Sequence, residues 1–232
     1  MNRFTALAAA AATTLAMSSA QALVVVVDDF SQPIPGVVIA DNTGAGVSVV
    51  TANPSPTTTS RTVTHTLLTA GSFGANGSGN LSSAGTGALP NFAANQLNMS
   101  NGNGVDSHVM AEWSVKAVVG AGVGVPSAFG FSVVGNDLGT IGGVASPNTV
   151  EAFLNGVSLG TQNLSLGNMS FALSAAQAGL LTAASTFKLT FNGADAWDAA
   201  IDNLALTIPE PTTLALVGLT LLGLGAARRR KA

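Results

Sequence analysis

The 232-residue chain reads as all-β, a two-sheet antiparallel sandwich of jelly-roll-like form with one short helix. Three observations predict it. Short runs of β-branched and apolar residues recur along the body, and clusters of Gly, Pro, Asn and Asp punctuate them. Parallel α/β architecture would need helices between the strands, and segments of that length and pattern are missing.

Each element has its own signal. Residues 23–27 are one leucine and four valines, the first strand, and 36–40 and 46–51 are two more short apolar runs. Residues 62–67 alternate in the two-residue rhythm of a strand. Pro33, Pro35, the 41–44 stretch and Asn53-Pro54-Ser55-Pro56 supply turn chemistry between them. Residues 71–104 are rich in Gly, Asn and Ser and read as long loops with room for one short strand. Residues 105–119 predict a central strand, or two joined at a bulge, and 128–134 the next. Residues 150–154 and 157–159 flank Asn155-Gly156, a strong hairpin signal. Residues 169–173 follow, then a two-turn helix over 174–181 capped by Ser174. Residues 186–191 and 201–207 close the domain. The Gly-rich stretches 120–124 and 139–143 have no helix after them and read as turns.

The two ends are not part of this sandwich. Arg3 precedes an uncharged stretch that closes on Ser18-Ser19-Ala20-Gln21-Ala22, with small residues at Ala20 and Ala22. That order predicts a secretory signal helix over residues 1–22, cut after Ala22 by signal peptidase. At the other end Pro209-Glu210-Pro211 leads into the uncharged segment 214–227 and then Arg228-Arg229-Arg230-Lys231. As a helix that segment reaches only ~21 Å, a marginal membrane span. The basic end predicts a cytoplasmic terminus with the body outside.

This C-terminal pattern resembles the PEP-CTERM sorting signal of Gram-negative bacteria. The resemblance covers about the last 25 residues, through Pro209, Glu210, Pro211, the 214–227 helix and the basic residues 228–231. It implies an exosortase, a membrane cysteine protease, as the partner that recognises the motif and removes the tail. It also implies a transient inner-membrane stage, a surface or matrix destination, and association with exopolysaccharide and biofilm. The chain thus divides into a signal peptide (1–22), a β-sandwich (23–207) and a sorting signal (208–232).

Composition removes several classes. The chain has no Cys, which excludes disulfides, thiolate metal sites and a thiol nucleophile. Between residues 23 and 208 three cations face ten acids, a net charge of −7, which argues against nucleic acid. No nucleophile elbow, phosphate loop or zinc-helix motif is present. The acid pairs Asp195 with Asp198 and Glu112 with Glu151 have no spacing that marks a glycosidase. His65 and His108 lie in alternating strands and read as packing or surface residues rather than as a metal pair.

The most informative body segment runs from Asp195 through Trp197, Asp198, Asp202 and Asn203. It resembles the last strand of jelly-roll lectin-like and carbohydrate-binding modules, and that resemblance implies a structural calcium. The expected ligands are Asp202 and, beside the first strand, Asp29; the other expectation is that Asp198, Asp202 and Asn203 cap turns. Trp197 is the candidate for stacking on a sugar ring, while Trp113 reads as core. The sequence therefore predicts a non-enzymatic matrix component, with a carbohydrate-binding module as the alternative. The 51–66 stretch, rich in Thr, Ser and Pro, is a further candidate to accept glycans.

Overall fold

The structure, a computed structural model, describes residues 22–32, 37–40, 46–69, 78–82, 95–101, 106–118, 124–141, 144–194 and 196–209. The signal helix and the apolar sorting helix expected at the two ends lie outside these residues. Fifteen strands are described: β1 (Leu23–Asp28), β2 (Val37–Ala40), β3 (Gly46–Ser55), β4 (Thr58–Thr69), β5 (Ser78–Ser82), β6 (Leu97–Asn101), β7 (Asp106–Val115), β8 (Ala128–Asp137), β9 (Gly139–Ile141), β10 (Val144–Ser146), β11 (Thr149–Leu154), β12 (Val157–Asn163), β13 (Gly167–Ala172), β14 (Ser185–Asn192) and β15 (Asp198–Ile208). Among the described residues there is one short helix, α1 (Ala175–Gly179), which continues into a 3₁₀ turn over Leu180–Thr182.

Thirteen of the strands form two antiparallel sheets, and β9 and β10 form a separate two-stranded ladder. One has the order β13-β8-β15-β6-β5-β2, with β1 also lying along β15; the other has the order β12-β11-β14-β7-β4-β3. β1 and β6 share one edge of β15, since β6 pairs with residues 198–201 and β1 with residues 204–208. First and last strands are therefore neighbours, as a jelly-roll-like sandwich predicts.

The pleat decides what each sheet buries. Along β7 the inward residues are Ser107, Val109, Ala111, Trp113 and Val115, and β14 answers with Ser185, Phe187, Leu189 and Phe191. Phe129 of β8 stacks on Phe187 with centroids 4.3 Å apart, and Phe131 meets Phe191 edge-on at 6.3 Å, which joins the two sheets. Each fully buried Phe contributes roughly 1.5–3 kcal/mol relative to exposure. Ser174 caps α1 as predicted. Its Oγ accepts from Gln177 N–H at 3.3 Å and its own N–H donates to Gln177 Oε1 at 2.8 Å, a complete capping box.

Four local readings change. Two strands, β5 and β6, stand in the Gly/Asn/Ser-rich region where one was expected; their intrinsic propensity is poor, and pairing with neighbours overrides it. The 139–143 stretch contributes to the short β9–β10 ladder rather than only to a turn. β3 continues to Ser55 through a bulge at Asn53 (φ 47°), so the turn before β4 narrows to Pro56-Thr57. β15 begins at Asp198, three residues before the predicted start.

Candidate functional site

Asp28 and Asp29 follow each other in sequence, and the end of β1 sends them to opposite environments. Asp28 is buried inward, where its Oδ2 accepts from Arg61 Nη1 at 2.8 Å and from Trp113 Nε1–H at 2.7 Å, while Oδ1 accepts from Phe30 N–H at 2.8 Å. Arg61 is equally buried and also donates to the Gln32 carbonyl at 2.8 Å. Phe30 meets Trp113 edge-on and lies 5.4 Å from the guanidinium. Burial pulls the Arg61 pKa down and the Asp28 charge opposes it. Trp113 is thus core, as its strand predicted. Arg61 went unrecognised in the sequence, although it is one of three body cations and shares the inward phase of Val63 and His65.

A second polar cluster lies further along the same strands, four residues on in β4 at His65 and six residues back in β7 at Ser107. His65 Nε2 and Ser107 Oγ are 2.6 Å apart, Asn101 Nδ2 donates to the Trp197 carbonyl at 3.0 Å, and Trp197 Nε1–H donates to the Ser107 carbonyl at 2.9 Å. Asp198 Oδ1 accepts from Asn101 N–H at 2.9 Å. Desolvation pushes the His65 pKa down to about 4, so the ring is neutral near pH 7. Trp197 is fully buried, which corrects its expected role: an indole with no exposed face cannot stack on a sugar ring. Gly193 leaves room for the ring, since an added Cβ there would lie 2.2 Å from Trp197 Cγ.

The histidines do not converge. His65 points inward and pairs in register with Val109, whereas His108 is in the outward phase and half-buried, so the sheet separates them. Glu112 and Glu151 share the outer face of the second sheet, but their strands are separated by β14 and their registers differ by two residues. Strand spacing and rise put their backbones ~12 Å apart. Asp195 lies outside the described residues.

Asp29 and Asp202 are both on the outside. Asp29 Oδ1 accepts from Ser31 N–H at 3.0 Å, and that turn lowers its pKa. Asp202 Oδ1 accepts from Asn203 N–H at 2.7 Å, with Asn203 at φ 55° in the bulge between β15 and β8. Desolvation raises the Asp202 pKa and the charge of Asp29 adds to the rise. The two carboxylates are therefore within electrostatic reach, but Asp29 lines a groove with Ser31, Asn53 and Lys116 of which Asp202 is not a wall. Among the described residues no group of three or more His, Asp or Glu is placed to hold a metal. Calcium takes six to eight oxygens, several of them carboxylate. Asp29 and Asp202 would supply two of those carboxylates, each with Oδ1 already accepting from a local amide.

On the outer face of the first sheet an open groove of about 390 Å³ runs beside β1, with Val24, Val26, Ser132, Asn168, Ser170 and Asn203 among its walls. Ser132 Oγ donates to Asn168 Oδ1 at 2.8 Å across β8 and β13.

At the end of β15, Ile208 pairs with Leu23 and is buried, and Pro209 is the first residue past the strand. Comparison with known proteins places the identifying feature there. The chain carries a C-terminal sorting signal: the family model described as the PEP-CTERM protein-sorting motif matches residues 207–231. No curated protein matches the sequence. Among solved structures the chain is similar to TmCBM61 in complex with β-1,4-galactotriose, at 11% identity and TM-score 0.29 over 75% of this chain and 88% of that one. It is also similar to the family 11 carbohydrate-binding module of a cellulosomal cellulase of Clostridium thermocellum, at 10% identity and TM-score 0.29 over 75% and 95%.

Proposed function

We infer that the chain is exported by its N-terminal signal, held briefly in the inner membrane by its tail, and released by an exosortase to the cell surface or extracellular matrix. On this reading the sandwich is a structural, non-enzymatic component associated with exopolysaccharide. The observation that carries it is the boundary between fold and motif. The sorting motif matches from residue 207, and the last buried, strand-paired residue of the sandwich is Ile208. Removing the tail after that point leaves every described strand in place. The N-terminal boundary is compatible, because a cut after Ala22 leaves Leu23, the first residue of β1, as the new terminus.

The test is processing in the producing bacterium. The wild-type chain should begin at Leu23 by mass spectrometry, lose its tail and leave the membrane fraction. The triple variant Pro209→Ala, Glu210→Ala, Pro211→Ala should keep the tail and remain membrane-bound. Equal processing of both chains would sink the exosortase reading.

A second reading is recognition of a glycan in the groove beside β1, favoured by amide and hydroxyl side chains grouped around the exposed Val24 and Val26. Co-sedimentation with exopolysaccharide from the same organism tests it. Saturable binding that Asn168→Ala weakens would support a binding module; no binding would leave a passive component.

A further inference from the structure

The pole where the chain enters and leaves the sandwich differs from the rest of its surface. Leu23 pairs with Ile208, so the segments preceding residue 23 and following Pro209 join the fold on neighbouring strands. Ser127 N–H donates to the Thr207 carbonyl at 2.8 Å, Leu173 N–H to Ser127 at 2.8 Å, and Val118 N–H to Leu181 at 3.2 Å. These bonds bring the 124–127 segment, α1 and its 3₁₀ turn to the same pole. The Asn155-Gly156 hairpin joins them, because Asn155 N–H donates to Thr186, one residue from the start of β14.

Around this exit stand five large apolar side chains, Leu23, Val24, Val125, Val157 and Leu180, each between 47% and 57% exposed. Charge is sparse beside them, and Lys116 shares a groove with Asp29. The segments 23–27, 116–118, 124–128, 154–158, 172–187 and 205–209 contain no carboxylate and one cation, Lys116, although the body carries ten acids. An apolar rim with one lysine and one neighbouring carboxylate offers little to a cation-rich partner. It suits lipid, where partial burial of apolar area is favourable and a lysine meets headgroup phosphates.

The tether makes the contact close. Only residues 210–213 separate Pro209 from the uncharged 214–227 segment, and that connection spans at most ~17 Å when fully extended. We propose that this pole of the sandwich rests on the outer face of the membrane while the tail is inserted, a lipid-facing platform made by Leu23, Val24, Val125, Val157 and Leu180. The proposal rests on the sorting-tail reading above. In consequence the folded body is presented to the membrane protease in one orientation, with the His65 end directed away from that pole.

The absence of cysteine makes the test clean, because every introduced thiol is unique. Full-length chains carrying Val157→Cys, Leu166→Cys or Leu221→Cys are labelled with bimane and reconstituted into phosphatidylethanolamine–phosphatidylglycerol vesicles with brominated acyl chains. Leu166 is the control, an exposed residue in the β12–β13 turn at the opposite end of the strands. Quenching several-fold greater at Val157 than at Leu166, together with quenching at Leu221, is expected. Adding Val125→Glu and Leu180→Glu should remove the Val157 quenching and leave Leu221 quenched. Quenching at Leu221 with none at Val157 would overturn the platform and leave the tail reading standing. No quenching at Leu221 would overturn both, and shielding of Val157 without lipid would assign the pole to a second copy instead.

Discussion

The same two strands, β4 and β7, hold one end of the core with a charge pair and the other with neutral dipoles. Beside β1, Asp28 and Arg61 are both buried and share one another's charge, with Trp113 as a further donor. At the other end, His65, Ser107, Asn101 and Trp197 form a network in which desolvation keeps the imidazole neutral. A buried ion pair contributes little net stability when intact and costs a great deal when halved, whereas the network around His65 loses stability when its buried imidazole must take up a proton. The difference teaches that each end has its own trigger for failure: composition at one, pH at the other.

The largest effect belongs to the charge pair. Asp28→Ala leaves the Arg61 guanidinium buried without its counter-ion and should cost about 3–5 kcal/mol in urea unfolding of the purified chain. Asp29→Ala, one residue away and exposed, should change stability by less than about 0.5 kcal/mol. The double variant Asp28→Leu, Arg61→Met should recover most of the loss, because no uncompensated charge remains. Equal effects of the two single variants would break the assignment of inward and outward aspartates.

The neutral end should respond to acid. A histidine whose folded pKa lies below its unfolded value stays neutral in the fold while the unfolded chain takes up a proton. Stability is therefore complete above the unfolded value near 6.5 and falls as pH drops toward about 4. The whole shift corresponds to about 3 kcal/mol. His65→Gln should flatten that part of the stability–pH curve relative to the wild type. An unchanged slope between pH 6.5 and 4 would remove His65 from the acid response.

Steric fit at the same end gives a smaller effect. Gly193→Ala places a Cβ against the Trp197 ring and near Asn148 Oδ1, with no flexible atom to yield. Overpacking of this kind costs about 1–3 kcal/mol. A thermal melt of the variant checks it, and an unchanged midpoint would mean that the indole has room to move.

How much of this was legible in the sequence follows from the kind of signal each feature leaves. The apolar strands announce themselves, because β7, β8, β11 and β14 alternate with period two and the pleat converts that directly into an inside and an outside. The Ser174 cap and the Asn155-Gly156 turn are legible for the same local reason. β5 and β6 are not, since Ser-Gly-Asn-Leu-Ser and Leu-Asn-Met-Ser-Asn become strands through pairing partners distant in the chain. Trp197 was misassigned because a tryptophan beside acids looks exposed in one dimension. Its burial depends on Ser107, ninety residues away, and on the gap left by Gly193. The sorting motif needed no tertiary information at all, being a linear signal.

The smallest effect separates two meanings of Asp202. Its raised pKa, from desolvation and from Asp29, means that the ionised form is less favoured in the fold than in the unfolded chain, a cost to stability that protonation relieves as pH falls. Asp202→Asn keeps an oxygen to accept from Asn203 N–H while removing the charge. If capping is the whole role, the variant should gain a few tenths of a kcal/mol near pH 7, since solvent screens most of the repulsion. The part of the gain that comes from Asp29 should shrink in high salt and vanish in an Asp29→Asn background, leaving the part that comes from desolvation. A calcium site would behave in the opposite way. The wild type would then melt higher with added calcium, Asp202→Asn would lose that increment, and chelator would lower the wild type to the variant. The donor set favours the first pattern, because each carboxylate already serves a neighbouring amide and no third acid or histidine is grouped with them among the described residues. A calcium-dependent midpoint in the wild type that Asp202→Asn abolishes would reverse that assignment and turn the outward aspartates from caps into ligands.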